Sequence, residues 1–244
     1  MNPGPDNLGG CLREKTAILE QSPRSNNMAV LKTGRLSLEK RTLNTSEYVV
    51  SIRKALCTGT PNSIRDEEGL YEHAGVLVPI IEEAEGLSVL LTKRTDTVEH
   101  HKGQISFPGG SVDKEDGSIK ETALREAQEE IGLQREDVEL LGRLDDTMTV
   151  VSNFIIHPFV GLVPYPYNFI INSAEVERII KVPLSVFNTK HSGSGRNSVE
   201  YEGMTYQSQN YVYNGNLIWG ATARIMQNFI NIICGKMSLL EAKK

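Results

Sequence analysis

A sharply bounded helix that carries three closely spaced glutamates is the feature that most constrains this chain. Ser118 and Glu121 stand three residues apart in the S-x-x-E arrangement, whose side chains accept hydrogen bonds from backbone donors at a helix start. Gly132 stands where a helix commonly ends, because glycine readily adopts the left-handed conformation of a helix end. The spacing therefore predicts a helix from about Ile119 to Ile131.

The polar and apolar residues of this helix fall on different faces. At about 100° per residue, the glutamates share one arc and the hydrophobic residues share another that can face a core. The acidic arc holds Glu126, Glu129 and Glu130, and the apolar arc holds Leu124, Ala127 and Ile131. The carboxylates are predicted to point away from the packing, where their oxygens suit a hard cation such as Mg²⁺ or Mn²⁺. A solvated helix face is the alternative, because exposed like-charge pairs cost only about 0.2–0.5 kcal/mol.

The segment from Arg125 to Leu133 reads R-E-A-Q-E-E-I-G-L. Together with Gly110, it resembles the Nudix box, which is the signature of Nudix hydrolases. The family pattern has a Gly, five residues, a Glu, seven residues and then R-E-U-x-E-E-x-G-U, where U is a bulky aliphatic residue. Here Asp116 stands at the Glu place, eight residues separate it from Arg125, and Ala127 fills the first U position. A box shifted in this way is similar to that of the coenzyme A pyrophosphatase branch.

The segment before the box extends this resemblance. The spacing of the coenzyme A branch is kept by three parts of this segment. They are L-L-T-K-R at Leu90 to Arg94, Gly103, and F-P-G-G at Phe107 to Gly110. Thr95 stands where that branch has Ser or Ala, and Glu99 stands where it has Arg. Because Glu repels a phosphate, coenzyme A specificity is less firmly indicated than hydrolase activity. The neighbours that can supply positive charge instead, or form only a polar loop, are His100, His101 and Lys102.

The resemblance implies a metal-dependent diphosphohydrolase that uses Mg²⁺ or Mn²⁺. Glu126 and Glu130, four residues apart on one face, are the expected metal ligands, and Glu129 is a third ligand, direct or through water. The expected catalytic residues are Glu129 and Arg125, which orients Glu129 across one turn or else forms an ordinary surface ion pair. The general base lies in the box or in a distant loop. The expected substrate-binding residues are Arg94, Gly103, Phe107, Gly109 and Gly110. For Phe107, Gly109 and Gly110, scaffolding is the alternative role.

The substrate implied first is coenzyme A or its thioesters, cleaved to adenosine 3′,5′-bisphosphate and (acyl-)4′-phosphopantetheine. Another Nudix pyrophosphatase, acting on ADP-ribose, NADH or dinucleoside polyphosphates, is the alternative. A nucleotide-binding sensor without catalysis belongs to a different class, and the complete acidic set argues against it.

The chain predicts an α/β protein, and the resemblance implies an α/β/α sandwich with a mixed sheet. The apolar runs and the tight-turn signal predict one hairpin, two further strands, a second hairpin and a late helix. These segments are 76–81 with 87–92, 138–144, 155–163, the turn at Asn214-Gly215, and 221–234.

Two parts of unequal character follow one another along the chain. Residues 1–45 lack hydrophobic periodicity and predict a disordered extension, while residues 46–244 predict the Nudix domain, beginning with a helix over 46–57. An organelle-targeting role of the extension is disfavoured by its acidic residues, which are Asp6, Glu14, Glu20 and Glu39.

The net charge and the cysteine content limit which kinds of partner and which cellular compartment the sequence predicts. A net charge of −5 supplies no broad basic surface for nucleic acid, and no apolar run reaches transmembrane length. Cys11, Cys57 and Cys234 lack paired metal spacing and predict reduced thiols in a cytoplasmic protein, with Cys57 or Cys234 buried. The expected partner is a small nucleoside diphosphate derivative, without nucleic acid or membrane, and a homodimer stays open.

Overall fold

The computed structural model describes residues 45–96, 102–149, 152–188, 196–201 and 203–241. The predicted extension lies outside these ranges, apart from Thr45, which begins the first helix. Cys11, Glu99, His100 and His101 also lie outside the described residues. The boundary between extension and domain therefore stays a prediction.

Three α-helices, two short 3-10 helices (Arg135–Asp137 and Leu184–Phe187) and twelve strands form in the described part of the chain. The α-helices are α1 (Thr45–Cys57), α2 (Ile119–Ile131) and α3 (Gly220–Glu241). The strands of the main sheet are β1 (Glu72–Glu83), β2 (Gly86–Arg94), β3 (Ile105–Ser106), β4 (Gly109–Ser111), β5 (Glu139–Arg143), β6 (Thr147–Met148), β7 (Phe154–Val163) and β8 (Val176–Pro183). The remaining strands form two separate hairpins, β9 (Arg196–Tyr201) with β10 (Met204–Gln209) and β11 (Tyr211–Tyr213) with β12 (Asn216–Ile218).

The main sheet is mixed, because β1 pairs in parallel with β7 and its other pairings are antiparallel. Its order is β3-β2-β1-β7-β5, with β8 also paired to β2, β4 to β1 and β6 to β7. The predicted first hairpin is β1 and β2, whose register closes at Glu83 opposite Gly86. The predicted second hairpin is β11 and β12, with Asn214 and Gly215 at positive φ in its turn.

Helices cover both faces of the main sheet, which confirms the predicted sandwich. One face packs against α2, and the core between them contains Leu77, Leu90, Ala127 and Ile131. The other face packs against α1 and α3, and the larger core there includes Ile52, Val78, Val160, Met226 and Phe229. The buried apolar positions of α1 confirm the predicted N-terminal helix on the domain.

The approach of α2 to the sheet is set by a glycine on β1. A Cβ atom on Gly75 would lie 2.4 Å from the carbonyl oxygen of Ile119 and 2.9 Å from the backbone nitrogen of Ala123. A side chain at this position would therefore push the first turn of α2 away from the sheet. The position of α2 matters because this helix carries the acidic residues.

The predicted burial of Cys57 or Cys234 is wrong, since both are free and exposed. Each follows a buried residue, Leu56 or Ile233, and the step of about 100° along a helix turns it away from the core. Among the residues that the structure describes, no helix combines the length and hydrophobicity that crossing a bilayer requires.

Candidate active site

The ends of α2 are fixed by the residues that the sequence singles out. The hydroxyl oxygen of Ser118 accepts a hydrogen bond from the backbone N–H of Glu121 at 3.3 Å. The Glu121 carboxylate accepts one from the backbone N–H of Gly117 at 3.1 Å, so the two side chains cap neighbouring backbone groups. Gly132 ends the helix with φ 69°. The predicted bounds of the helix are confirmed, and the positions of its glutamates follow from them.

Arg125 binds three carboxylates at once. Its Nε and Nη2 donate to the two oxygens of Asp116 at 3.0 and 3.1 Å. Its Nη1 donates to Glu126 at 2.8 Å and to Glu129 at 3.0 Å, and its Nη2 also donates to the backbone carbonyl of Ser111 at 3.2 Å. The guanidinium holds the pKa of the Asp116 carboxyl well below its ordinary value. Arg125 thus links Asp116, in the loop before α2, to Glu126 and Glu129 on the helix.

Asp116 is a site residue whose contact sequence reasoning missed. It stands where the box has Glu, one residue further from Arg125 along the chain. Besides Arg125, its carboxylate accepts hydrogen bonds from the Thr122 hydroxyl at 2.8 Å and the Asp113 backbone N–H at 2.9 Å. The available signal was its place in the box, since a shorter acid with one extra loop residue still reaches the arginine.

Glu130 does not point away from the packing, so that prediction is wrong for this residue. Its side chain is 3% exposed, and burial raises its pKa to about 8, while Arg94 opposes this rise and Glu126 and Glu175 add to it. Helical periodicity placed Glu130 on a polar face but did not anticipate that β4 would cover that face. The backbone of Gly109 in β4 hydrogen-bonds to this carboxylate. Glu129 remains more than half exposed.

Two glycines let β4 pass between β1 and the glutamates of α2. A Cβ on Gly110 would lie 2.5 Å from the carboxyl carbon of Glu126, and one on Gly109 would lie 2.5 Å from the carbonyl oxygen of Gly75. Gly109 also has a φ of 157°. Gly109 has no room for a side chain, because its close neighbours include backbone atoms of β1. At Gly110 the close neighbour is the end of the Glu126 side chain, so a side chain there would displace that carboxylate. Burial raises the pKa of Glu126, and Arg125 opposes that rise.

A cavity of about 250 Å³ lies beside β4 and the start of α3. Four of the five predicted substrate-binding residues line it, namely Arg94, Phe107, Gly109 and Gly110. Gly103 is not among the lining residues. The lining residues that sequence reasoning did not assign include Gln104, Ser106, Thr149, Ser152, Phe154 and Trp219. They come from several segments, and spacing within one segment gave no signal for them.

In their present conformation, the glutamate side chains of α2 do not form a complete metal-binding site. Within the described ranges, no three His, Cys, Asp or Glu side chains are placed to hold a metal ion together. Arg125 binds Glu126 and Glu129 through hydrogen bonds, and these compete with coordination. The donor set nevertheless fits a hard divalent cation, because the buried Oε2 atom of Glu130 has no hydrogen-bond partner. A cation would supply the interaction that this oxygen lacks.

The fold and the acidic helix agree with the comparison of the sequence with known families. The NUDIX domain family matches residues 71–193, and the chain belongs to this family of hydrolases. A protein from Photorhabdus laumondii named uncharacterized Nudix hydrolase NudL is 40% identical over 154 residues, which cover 63% of this chain and 81% of that protein. The Yersinia enterocolitica protein of the same name is 37% identical over 155 residues, covering 64% of this chain and 78% of its own length.

A solved structure of a MutT/nudix family protein from Enterococcus faecalis is also similar to this chain. The two align over 81% of this chain and 72% of the other, with 14% sequence identity and a TM-score of 0.47.

Proposed function

We propose that this Nudix hydrolase is a metal-dependent diphosphohydrolase whose principal substrate is coenzyme A or one of its thioesters. The observation that carries the proposal is a buried glutamate, Glu130, with one oxygen unpartnered, next to Glu126 and beside a cavity lined by Arg94. The shifted box and the L-L-T-K-R segment support coenzyme A within the broader class. The proposed products are adenosine 3′,5′-bisphosphate and (acyl-)4′-phosphopantetheine.

Glu126 and Glu130 would hold Mg²⁺ or Mn²⁺, with Glu129 as a direct or water-mediated ligand. The bound cation would neutralise phosphate oxygens and lower the pKa of a water molecule. Arg125 keeps Glu126 and Glu129 oriented by donating to both. Glu129 is the proposed proton acceptor, because it is the most exposed of the three glutamates and therefore open to water.

The cavity beside β4 would receive one of the two groups that the diphosphate joins. Arg94 would pair with a phosphate oxygen at its edge, since guanidinium suits phosphate geometry. Gly109 and Gly110 bring the β4 backbone close to both the cavity and the acidic group. Phe107, which is buried, holds the entry to β4.

One observation favours a second candidate, a pyrophosphatase for ADP-ribose, NADH or dinucleoside polyphosphates. Arg94 is the one charged side chain among the described residues that line the cavity. The 3′-phosphate of coenzyme A would need a second cation, and the described lining residues supply no other one. These alternative substrates lack that phosphate.

A substrate panel tests both candidates. Coenzyme A, an acyl-coenzyme A, ADP-ribose, NADH and a diadenosine polyphosphate are incubated with Mg²⁺ or Mn²⁺, and the products are separated by chromatography. We expect coenzyme A or its thioester to give the highest kcat/KM. Faster cleavage of ADP-ribose or a dinucleotide would replace the first candidate with the second. Binding without cleavage of any compound would indicate a sensor and overturn both. The double variant Glu126→Gln/Glu130→Gln, purified identically, controls for contaminating hydrolases.

We extend the proposal to the organisation of the chain. Residues 1–45 would be an extension that the reaction does not require, and residues 46–244 would form the hydrolase domain. The protein would act in the cytoplasm on a small-molecule substrate, without nucleic acid or membrane as a partner.

A further inference from the structure

Arg94 occupies a position between the acidic group and the cavity. It is the last residue of β2, and the pairing of β2 with β8 shifts register between Lys93 and Arg94. Such an irregularity re-aims a side chain at the end of a strand. The Arg94 side chain lines the cavity, and its Nη1 lies 3.5 Å from Oε1 of Glu130. One guanidinium therefore faces both the proposed metal ligand and the space proposed for substrate.

The contact between Arg94 and Glu130 is a loose one. A separation of 3.5 Å exceeds the length of a charge-assisted hydrogen bond, which is about 2.7–2.9 Å. Within the described ranges, Arg94 is nevertheless the one cation that forms an ion pair with this buried carboxylate. Because Oε2 of Glu130 has no hydrogen-bond partner, the carboxylate is only partly compensated. Arg94 lowers the cost of burying this charge without satisfying it.

We infer that Arg94 pairs with Glu130 where a divalent cation would bind, and that it transfers to a substrate phosphate when the cation binds. The inference rests on the proposed function. Two cations on one carboxylate repel each other, and an anionic phosphate placed between them removes that repulsion. Arg94 therefore opposes metal binding in the absence of substrate and supports it in the presence of substrate. Metal binding to Glu130 releases the guanidinium toward the cavity.

The opposite signs of these two effects give a direct test. Mn²⁺ affinity is measured from the loss of free Mn²⁺ signal in electron paramagnetic resonance, first without ligand. At a pH where Glu130 is ionised in both proteins, Arg94→Met should tighten the Mn²⁺ dissociation constant about three- to tenfold, because a repelling charge is gone. Lys93→Met is the matched control, since it removes a positive charge from the neighbouring position, where Lys93 pairs with Glu177 at 2.6 Å. That variant should bind Mn²⁺ like the wild type.

The second measurement uses α,β-methylene-ADP, a diphosphate that the enzyme cannot cleave between its phosphates, at saturating Mn²⁺. Calorimetry should show about tenfold or more weaker binding to Arg94→Met, because a charge-assisted contact to phosphate is lost. Lys93→Met should bind it normally. Arg94→Gln keeps a polar head group and carries the same two expectations, so the result does not depend on the folding of one variant. Arg94→Lys keeps the charge and should retain the weaker Mn²⁺ affinity of the wild type.

The outcomes separate this inference from the proposed function. If the wild type binds no Mn²⁺, the proposed function fails together with the inference. If the wild type binds Mn²⁺ but the uncharged Arg94 variants bind it equally or more weakly, the inference alone is overturned. A purely structural role of Arg94 would weaken both Mn²⁺ and α,β-methylene-ADP binding, which also contradicts it.

Discussion

At the scale of single residues, Glu126 and Glu130 carry the hydrolase proposal. Glu126→Gln and Glu130→Gln should each reduce turnover by at least about a hundredfold, because glutamine keeps the volume but removes a charge that the cation needs. Part of the activity should return at high Mn²⁺, since a lost ligand weakens metal affinity. Steady-state kinetics across a metal titration measures both effects. Glu136→Gln, on an exposed site away from the cavity, is the control. Wild-type rates in both variants at every metal concentration would show that these two glutamates take no part in the reaction.

The buried Glu130 also predicts how stability depends on pH when metal is removed. Its folded-state pKa is raised from 4.5 to about 8, so the folded protein keeps a proton that the unfolded chain releases. Its contribution to stability is present below the unfolded pKa and is lost as pH rises through about 8. The free energy of unfolding in EDTA should fall between these values with a slope approaching about 1.4 kcal/mol per pH unit. Urea denaturation at several pH values should show a flatter dependence for Glu130→Gln. Equal slopes would mean that Glu130 titrates normally.

The residue scale also shows what the sequence could and could not predict about the site. Ser118 and Gly132 act through backbone neighbours, so their positions predicted both ends of α2. The burial of Glu130 depends on β4, which contacts its carboxylate in space but lies outside the helix in sequence. Helical periodicity therefore does not encode it. In the sequence, Asp116 stands out only as a departure from the box pattern. Its role is to bind Arg125, and this tertiary contact appears only in the structure.

At the scale of elements, β4 and α2 depend on the absence of a side chain at Gly110. In Gly110→Ala, the new Cβ would lie 2.5 Å from the carboxyl carbon of Glu126, and either the carboxylate or β4 must move. We expect at least about a tenfold loss of kcat/KM, because small displacements of catalytic groups are costly. Weaker Mn²⁺ binding should accompany the loss. Gly235→Ala is the matched control, since a Cβ there meets nothing within 4 Å. Full activity and metal affinity in Gly110→Ala would place the working carboxylates elsewhere.

The elements themselves were predicted well where they have a local signal, and these include β5 and β7. The pairing of strands that are distant in sequence was not predicted. The hairpin of β1 and β2 and the Asn214-Gly215 turn follow from short-range turn chemistry. The parallel pairing of β1 with β7 joins residues about eighty positions apart, such as Leu77 and Phe159. No local pattern specifies that register, although the resemblance to a known family implied a mixed sheet.

At the scale of the whole molecule, we propose that the part of the chain required for activity begins with α1. Removing residues 1–44 should leave the unfolding midpoint and most activity unchanged, because that segment lacks the apolar pattern needed to pack. Removing residues 1–57 deletes α1 and its buried Val49, Ile52 and Leu56, and should cost several kcal/mol or prevent soluble expression. Thermal unfolding and activity of the two truncations measure the difference. Loss of soluble, active protein in the shorter truncation would show that the extension belongs to the domain.

The short β4 strand has a consequence for how the sequence of this protein can change during evolution. The acidic group depends on one helix and one short strand, whereas the cavity is lined by residues from the sheet, from the segment after β2 and from the start of α3. Residues common to both are few, and they are Arg94, Gly109, Gly110 and Ser111. On the proposed function, substitutions in the cavity that alter which substrate is bound can therefore accumulate during evolution without changing the acidic group. Related proteins with this architecture could then keep the same reaction while their substrates differ.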